Sequence, residues 1–354
     1  MSRSASFDAL ELRAGPRAAA HIRAHGLQPS DIACVPAAAG GPKGLALIAL
    51  DQWLFGDWLR GAQRLELIGA SIGAWRLAAA AMDNPVAALQ RLADGYLAQR
   101  YPRNPTPRYV SDECRKLARA VLNGAPALAP RAGIGLSLLA TRARGVLQDN
   151  ASRRAFARAA LANLWSRRRL ATHMERVIFR AGEAHFPSTP FDGFGLTAVA
   201  LSARNSEDAL LASGSIPLVC EPVRNPDGAP RGNYWDGGLI DYHLLLPYTQ
   251  LDRLVLYPHF VPYLTPGWLD KGLPWRRRPR AHPWLDNVLL IAPSHSLLAR
   301  MPGRKLPDRN DFTRYRDDEV RVRDWRRAMA ESQRLAEQAM RWLQAPDPSL
   351  LKPL

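Results

Sequence analysis

The chain has 354 residues, of which 47% are hydrophobic, and it carries 48 Lys and Arg against 32 Asp and Glu. A chain of this size can bury a large core, either as one elaborated α/β domain or as two smaller ones. It contains no run of 18 apolar residues, which argues against a transmembrane helix, and its excess of basic residues suits anionic partners such as the phosphates of lipids or nucleic acid. A basic surface without a partner explains the charge equally well.

The cysteines and histidines give no sign of a metal site. Neither the three cysteines nor the eight histidines show a metal-binding spacing, so we expect no metal and no cofactor. The N-terminal sequence MSRSASFDALELRAGPR lacks the apolar stretch of a secretory signal. We therefore expect a cytoplasmic protein, with peripheral attachment to a membrane left open.

The first third of the chain alternates apolar runs with helical patterns. Residues 15–26 are predicted to form a short helix, and 31–37 a strand that ends in the sequence AAAGGPKG. A helical pattern covers 42–59, and 64–68 form a second strand before the helix-prone stretch GASIGAWRLAAAAM. This order of strands and helices predicts a parallel sheet covered on both faces.

Residues 102–175 are predicted to be helical and carry the densest positive charge. Between 131 and 180 the acids are Asp149 and Glu175, against a series of arginines that includes Arg153, Arg154, Arg158, Arg167, Arg168 and Arg169. We expect a basic helical insertion, which is either a lid or membrane-facing element or simply a solvated helix surface.

The second half of the chain returns to strands and ends in a helix. Further strands are predicted at 176–179, 196–201 and 251–257. The stretch 261–312 is rich in Pro, Trp and Arg and is predicted to be a long loop, and 315–344 to be a C-terminal helix that docks by one apolar face. We predict one domain over 1–354.

The strongest chemical motif is the pentapeptide Gly69-Ala70-Ser71-Ile72-Gly73, a GxSxG pattern between a predicted strand and a predicted helix. In such an elbow, small residues two positions before and after the serine let the chain turn, and the hydroxyl is exposed above the sheet. The pattern arises by chance in about one chain in ten of this length, so its context decides its meaning.

Two glycine-rich turns provide that context. Gly40 and Gly41 follow a predicted strand and precede a helix, so their backbone N–H groups can face a developing oxyanion, helped by the helix dipole. Asp236 is followed by Gly237 and Gly238, which let another backbone come close to its carboxylate. Alone, each turn would be read as structural.

The order of these three motifs resembles the patatin-like phospholipase family, here as GGPKG (40–44), GASIG (69–73) and DGG (236–238). The small-residue stretch 212–217 also looks like the segment that precedes the family's catalytic aspartate. The resemblance covers roughly residues 30–260. It implies a three-layer α/β/α fold with a mostly parallel central sheet, a helical insertion and a C-terminal helix.

The resemblance also implies a chemistry, that of a lipid acyl-ester hydrolase. Ser71 would attack the acyl carbonyl, Asp236 would take and return its proton, and Gly40 and Gly41 would form the oxyanion hole, without a histidine. Family members usually have three glycines in that loop, and here Ala38 and Ala39 stand before the pair.

Other residues of these motifs would support the site. Lys43 occupies the family's basic position in the glycine loop and would shape the loop, favour an anionic headgroup or form a structural salt bridge. Gly69, Gly73, Gly237 and Gly238 would give the chain room to turn beside the serine and the aspartate.

Two other functions stay open at this point. An α/β-hydrolase with a Ser-His-Asp triad would draw its base from His243, His259 or His295, although few strands precede Ser71 for that fold. A non-catalytic protein could instead use its arginines to hold an anionic membrane. Nucleic acid is not expected, because no recognition motif is present.

Tryptophans of the 261–312 stretch extend the membrane alternative. Trp275 and Trp284 flank a run of arginines, and such a combination suits a lipid interface, although packing explains most tryptophans. The substrates we expect are lipids or other acyl esters.

Overall fold

A computed structural model describes residues 7–149, 151–276 and 282–354. Its strands form one sheet in the order β11-β1-β10-β9-β2-β3-β4-β5-β6, and β8 pairs with both β4 and β7. The strands are β1 Leu10–Ala14, β2 Ile32–Ala37, β3 Leu65–Ala70, β4 Ile134–Ala143, β5 Met174–Gly182, β6 Leu196–Ala200, β7 Val223–Arg224, β8 Asn233–Asp236, β9 Leu254–Pro258, β10 Val288–Pro293 and β11 Lys352–Pro353.

The centre of the sheet is parallel. Strands β10, β9, β2, β3 and β4 pair in parallel, and every residue of β2, β3, β9 and β10 is buried. Burial on both faces requires helices on both sides, which explains why these strands are continuous apolar runs. Antiparallel pairs add β1 beside β10, and β5 and β8 beside β4.

Helices flank the sheet. They are α1 Pro16–His25, α2 Ile48–Trp53, α3 Ile72–Ala80, α4 Pro85–Ala98, α5 Pro107–Leu122, α6 Arg153–Trp165, α7 Arg167–Leu170, α8 Ser206–Gly214, α9 His295–Arg300, α10 Asp311–Arg314 and α11 Asp318–Gln344. Together with the sheet they confirm the predicted α/β/α fold with its mostly parallel sheet.

The predicted C-terminal helix is present as α11, which packs against α2. Its predicted apolar face is buried at Val322, Trp325, Ala336, Ala339 and Leu343.

The prediction of a wholly helical segment over 102–175 was wrong. α5 and α6 lie within it, but β4 runs through its middle and is buried between β3 and β5. The arginines on either side of the sequence IGLSLLA hid this apolar run from a reading based on composition. The segment is therefore not a single insertion, because it contributes a central strand.

The prediction of a long loop over 261–312 was also wrong in part. Strand β10 (Val288–Pro293) and helix α9 lie inside this stretch, and β10 is fully buried beside β9. Flanking Pro, Trp and Arg residues concealed the apolar run VLLIAP. Residues 277–281, which include most of the predicted arginine run, lie outside the described residues.

One edge of the sheet joins strands from opposite ends of the chain, since β1 pairs with both β10 and β11. Within the described residues, the helices are too short or too polar to cross a bilayer.

Candidate active site

Ser71 stands at a sharp turn between β3 and α3. Its backbone has φ +55° and ψ −130°, a conformation that is strained for a residue with a side chain. Gly73 must lack a side chain, because a Cβ there would overlap the carbonyl of Ala37 on β2. A Cβ on Gly69 would lie 2.6 Å from the backbone of Gly73. The two glycines thus allow the elbow to press against the neighbouring strand.

A buried serine holds the elbow in place. The backbone N–H of Ser71 donates to Ser213 Oγ at 3.0 Å, and the Ser213 hydroxyl donates in turn to the carbonyl of Leu139 at 2.7 Å. Ser213 lies on α8 and Leu139 on β4, so one hydroxyl links three elements. The sequence analysis placed Ser213 in the family's small-residue stretch but assigned it no role. A serine inside the apolar run of α8 was the available signal.

Asp236 lies at the end of β8, buried beside Ser71. Its carboxylate lines the same cavity as Ser71, and its Oδ1 accepts from the Gly238 N–H at 2.7 Å. Burial raises the pKa of Asp236 from 3.8 to about 6, although the nearby Ser71 hydroxyl, the Gly238 N–H and the charge of Arg309 lower it. The carboxylate is therefore a stronger base than an exposed aspartate. Gly237 leaves no room for a Cβ, which would overlap the carbonyl of Leu139.

The loop that carries Gly40 and Gly41 faces the same cavity. Gly41 has φ +57°, which favours glycine, and a Cβ on Gly40 would lie 2.6 Å from the Phe260 ring. The loop is anchored by a hydrogen bond of 2.9 Å from the Ala39 N–H to the Tyr242 carbonyl. Both glycines line the cavity that contains Ser71 and Asp236.

The helix predicted after this loop is present but irregular. Gly41–Leu47 form a 3-10 helix, Ile48–Trp53 form the α-helix α2, and Leu54–Trp58 continue it as a π-helix. The helical segment therefore begins at the glycine loop, as predicted, although only its middle part is a regular α-helix.

Lys43 lies half-buried at the edge of the cavity, with its amine 5.2 Å from the centre of the Phe260 ring. The predicted alternative of a structural salt bridge does not appear within the described residues. Burial lowers the pKa of Lys43, as do the charges of Lys271 and Lys305, while Asp308 opposes them. Lys43 is thus part of a positively charged side of the cavity.

Two cavities meet at Ser71. The first, of about 220 Å³, has a lining of mixed polarity that includes both glycines, two carboxylates, Asp236 and Asp308, and three cationic side chains, Lys43, Lys271 and Arg309. The second, of about 330 Å³, has a mainly apolar lining that includes Ile72, Trp75, Tyr96, Val110, Leu117, Val219 and Phe312. A molecule bound across Ser71 would therefore find an apolar environment on one side and a cationic one on the other.

The histidines of the triad alternative lie elsewhere. His243 and His259 are fully buried with ring centres 4.4 Å apart, and burial lowers the pKa of both. His295 lines a different cavity, beside Glu11 and Lys352. Within the described residues, neither cavity at Ser71 is lined by a histidine, and no His, Cys, Asp and Glu cluster could hold a metal.

We predict that Asp236→Asn stabilises the protein. The pKa of Asp236 is raised on folding, so above pH 6 the ionised carboxylate destabilises the fold relative to the unfolded chain. A neutral amide avoids this penalty, and the free energy of unfolding at pH 8 should rise by about 1–3 kcal/mol in urea denaturation. The difference should shrink as the pH falls below about 6 and should vanish well below 3.8, where both states are protonated. The exposed Asp252→Asn is the control, and a destabilised Asp236→Asn protein would contradict the burial effect.

Comparison with known proteins agrees with this geometry. The family model described as patatin-like phospholipase matches residues 38–246, more than half of the chain and a range that includes Gly40, Ser71 and Asp236. No curated protein matches the chain significantly. Membership of this family implies lipid acyl hydrolase activity. The family match and the arrangement of the three motifs lead to one conclusion: the chain belongs to the patatin-like phospholipase family.

Proposed function

We propose that the protein hydrolyses lipid acyl esters through a dyad of Ser71 and Asp236, by way of an acyl-enzyme intermediate. The observation that carries this proposal is that the Ser71 hydroxyl and the buried Asp236 carboxylate share a cavity that Gly40 and Gly41 also line, with the hydroxyl close enough to lower the pKa of the carboxylate. The nucleophile, the base and two candidate oxyanion donors are thus close together.

The reaction would proceed in two halves. Ser71 Oγ attacks the acyl carbonyl while its proton passes to Asp236, and the carbonyl oxygen accepts from the N–H groups of Gly40 and Gly41. The alcohol leaves with the proton from Asp236. Water then attacks the acyl-serine while Asp236 takes its proton, and Asp236 returns that proton to Ser71 Oγ as the fatty acid is released.

The two cavities support a substrate with an apolar acyl chain and an anionic leaving group. The acyl chain would occupy the apolar cavity between α3, α4 and α5, where burial of hydrocarbon is favourable. The leaving group would lie among Lys43, Lys271 and Arg309, which suit a phosphate. We therefore infer phospholipid or lysophospholipid as the substrate, and a phospholipase A or lysophospholipase as the activity.

The dyad is tested by replacing its base. Asp236→Asn should lower kcat/KM for a lysophospholipid at least about a hundredfold, because the hydroxyl loses its proton acceptor, while circular dichroism shows an intact fold. Ser71→Ala should abolish labelling by a fluorophosphonate. The exposed His295→Ala is the control and should retain activity. Activity that survives Asp236→Asn, or that is lost in His295→Ala, would contradict the dyad.

Activity should depend on the protonation of Asp236. The base must be ionised, so kcat/KM should fall as pH decreases through about 6 and should reach a plateau above it. The measurement is kcat/KM against pH at constant ionic strength, with a soluble ester that does not itself titrate. A midpoint near 4, as for an exposed aspartate, would show that burial does not tune this group.

A further inference from the structure

Exposed large apolar side chains are concentrated on one part of the surface. Within the described residues, five of them lie on α6 or on the adjoining segment 268–276, namely Leu161, Leu164, Trp165, Trp268 and Trp275. Trp165 is 74% exposed and Trp275 is 69% exposed. Tryptophan is seldom this open to water, and a group of exposed apolar residues commonly marks an interaction site.

Basic residues continue the same surface along α6. Arg154, Arg158, Leu161 and Trp165 follow one another at helical spacing and therefore share one face. The two arginines are exposed and form no ion pair within the described residues, and the guanidinium of Arg169 lies 5.5 Å from the Trp165 ring centre. This face is thus cationic in its first half and apolar in its second.

A buried carboxylate fixes the two segments to each other. Asp270 is fully buried and accepts hydrogen bonds from Asn163 of α6 at 2.9 Å, from Arg276 at 3.1 Å and from Arg167 at 2.7 Å. Arg276 also donates to the carbonyls of Asn163 and Leu164. These bonds hold Trp275 beside the end of α6, so the exposed side chains form a single preorganised surface.

The surface adjoins the candidate active site. Trp268, which belongs to the same segment as Trp275, lines the cavity that contains Ser71. A partner bound to this surface would therefore lie next to that cavity.

We propose that this surface, made of Arg154, Arg158, Leu161, Leu164, Trp165 and Trp275 and named the α6 surface, binds the interface of an anionic lipid bilayer. The indole rings and leucines enter the headgroup region, where amphipathic aromatic side chains are favoured. The arginines contact lipid phosphates and gain from the negative surface potential. The exposed leucines favour lipid over nucleic acid, whose binding surfaces are polar and positively charged.

The test measures binding without catalysis. The full-length chain with Ser71→Ala is sedimented with vesicles of phosphatidylcholine alone or with one-third phosphatidylglycerol. We expect binding to the anionic vesicles, with an affinity that falls about tenfold or more in Arg154→Gln/Arg158→Gln and in Trp165→Ser/Trp275→Ser. Added salt should weaken binding of the parent and affect the arginine variant less.

Matched controls separate this surface from general properties of the chain. Val86→Ser removes an exposed apolar side chain and Arg23→Gln an exposed charge, both outside the α6 surface, and both should bind as the parent does. Equal binding by the surface variants and the controls would overturn the proposal. The proposal would also be overturned if the parent protein does not bind vesicles, or if it binds double-stranded DNA instead. Because Ser71 is absent throughout, none of these outcomes depends on the proposed hydrolysis.

Discussion

The close approach of the β3–α3 elbow to β2 is the constraint on which the site depends. The carbonyl of Ala37 occupies the space that a side chain at position 73 would need. Ser71, two residues earlier in the elbow, adopts a positive φ. Such a conformation costs of order 1–3 kcal/mol and persists only where the surroundings hold it. Here the surroundings are a fully buried parallel sheet and the hydroxyl of Ser213.

A buried ion pair adds to that support. Arg76 on α3 donates to both carboxylate oxygens of Asp51 on α2, at 2.6 and 2.8 Å, and both side chains are inaccessible to solvent. Such a pair contributes little net stability but penalises any arrangement that separates its partners. The ion pair therefore fixes the position of α3, which begins directly after Ser71, relative to α2, which follows the glycine loop.

Asp236 illustrates how stability and reactivity oppose each other. Burial destabilises its charged form, and the same burial raises its basicity toward the range in which an aspartate can accept a proton from serine. A histidine would not need this adjustment, because its ordinary pKa already lies near neutrality. Asp236 is the base in the dyad that we propose, and within the described part of the chain neither cavity at Ser71 is lined by a histidine.

The sequence was informative where a local pattern determines local structure. The turn at Ser71 follows from its flanking glycines, and β2 and β3 follow from short apolar runs. β4 and β10 were missed because neighbouring arginines, prolines and tryptophans dominated the composition around their apolar cores. Lys271 and Arg309 could not be assigned to the cavity, because only the tertiary fold brings them beside Ser71.

If a bilayer binds at the α6 surface, its lipids would reach Ser71 through the adjoining cavities. Trp268 lines the cavity with the cationic side chains and belongs to the segment that Asp270 links to α6 through Asn163. A lipid that left a bilayer bound at this surface would meet the cationic lining before its ester reached the serine. The apolar cavity between α3, α4 and α5 would then receive the acyl chain.

The most direct test of the central claim is to trap the covalent intermediate. The protein is mixed with a lysophospholipid, quenched in acid within the first turnover and digested, and the acylated peptide is sequenced by mass spectrometry. The account predicts one acyl group, attached to Ser71. An acyl group on any other residue would contradict it.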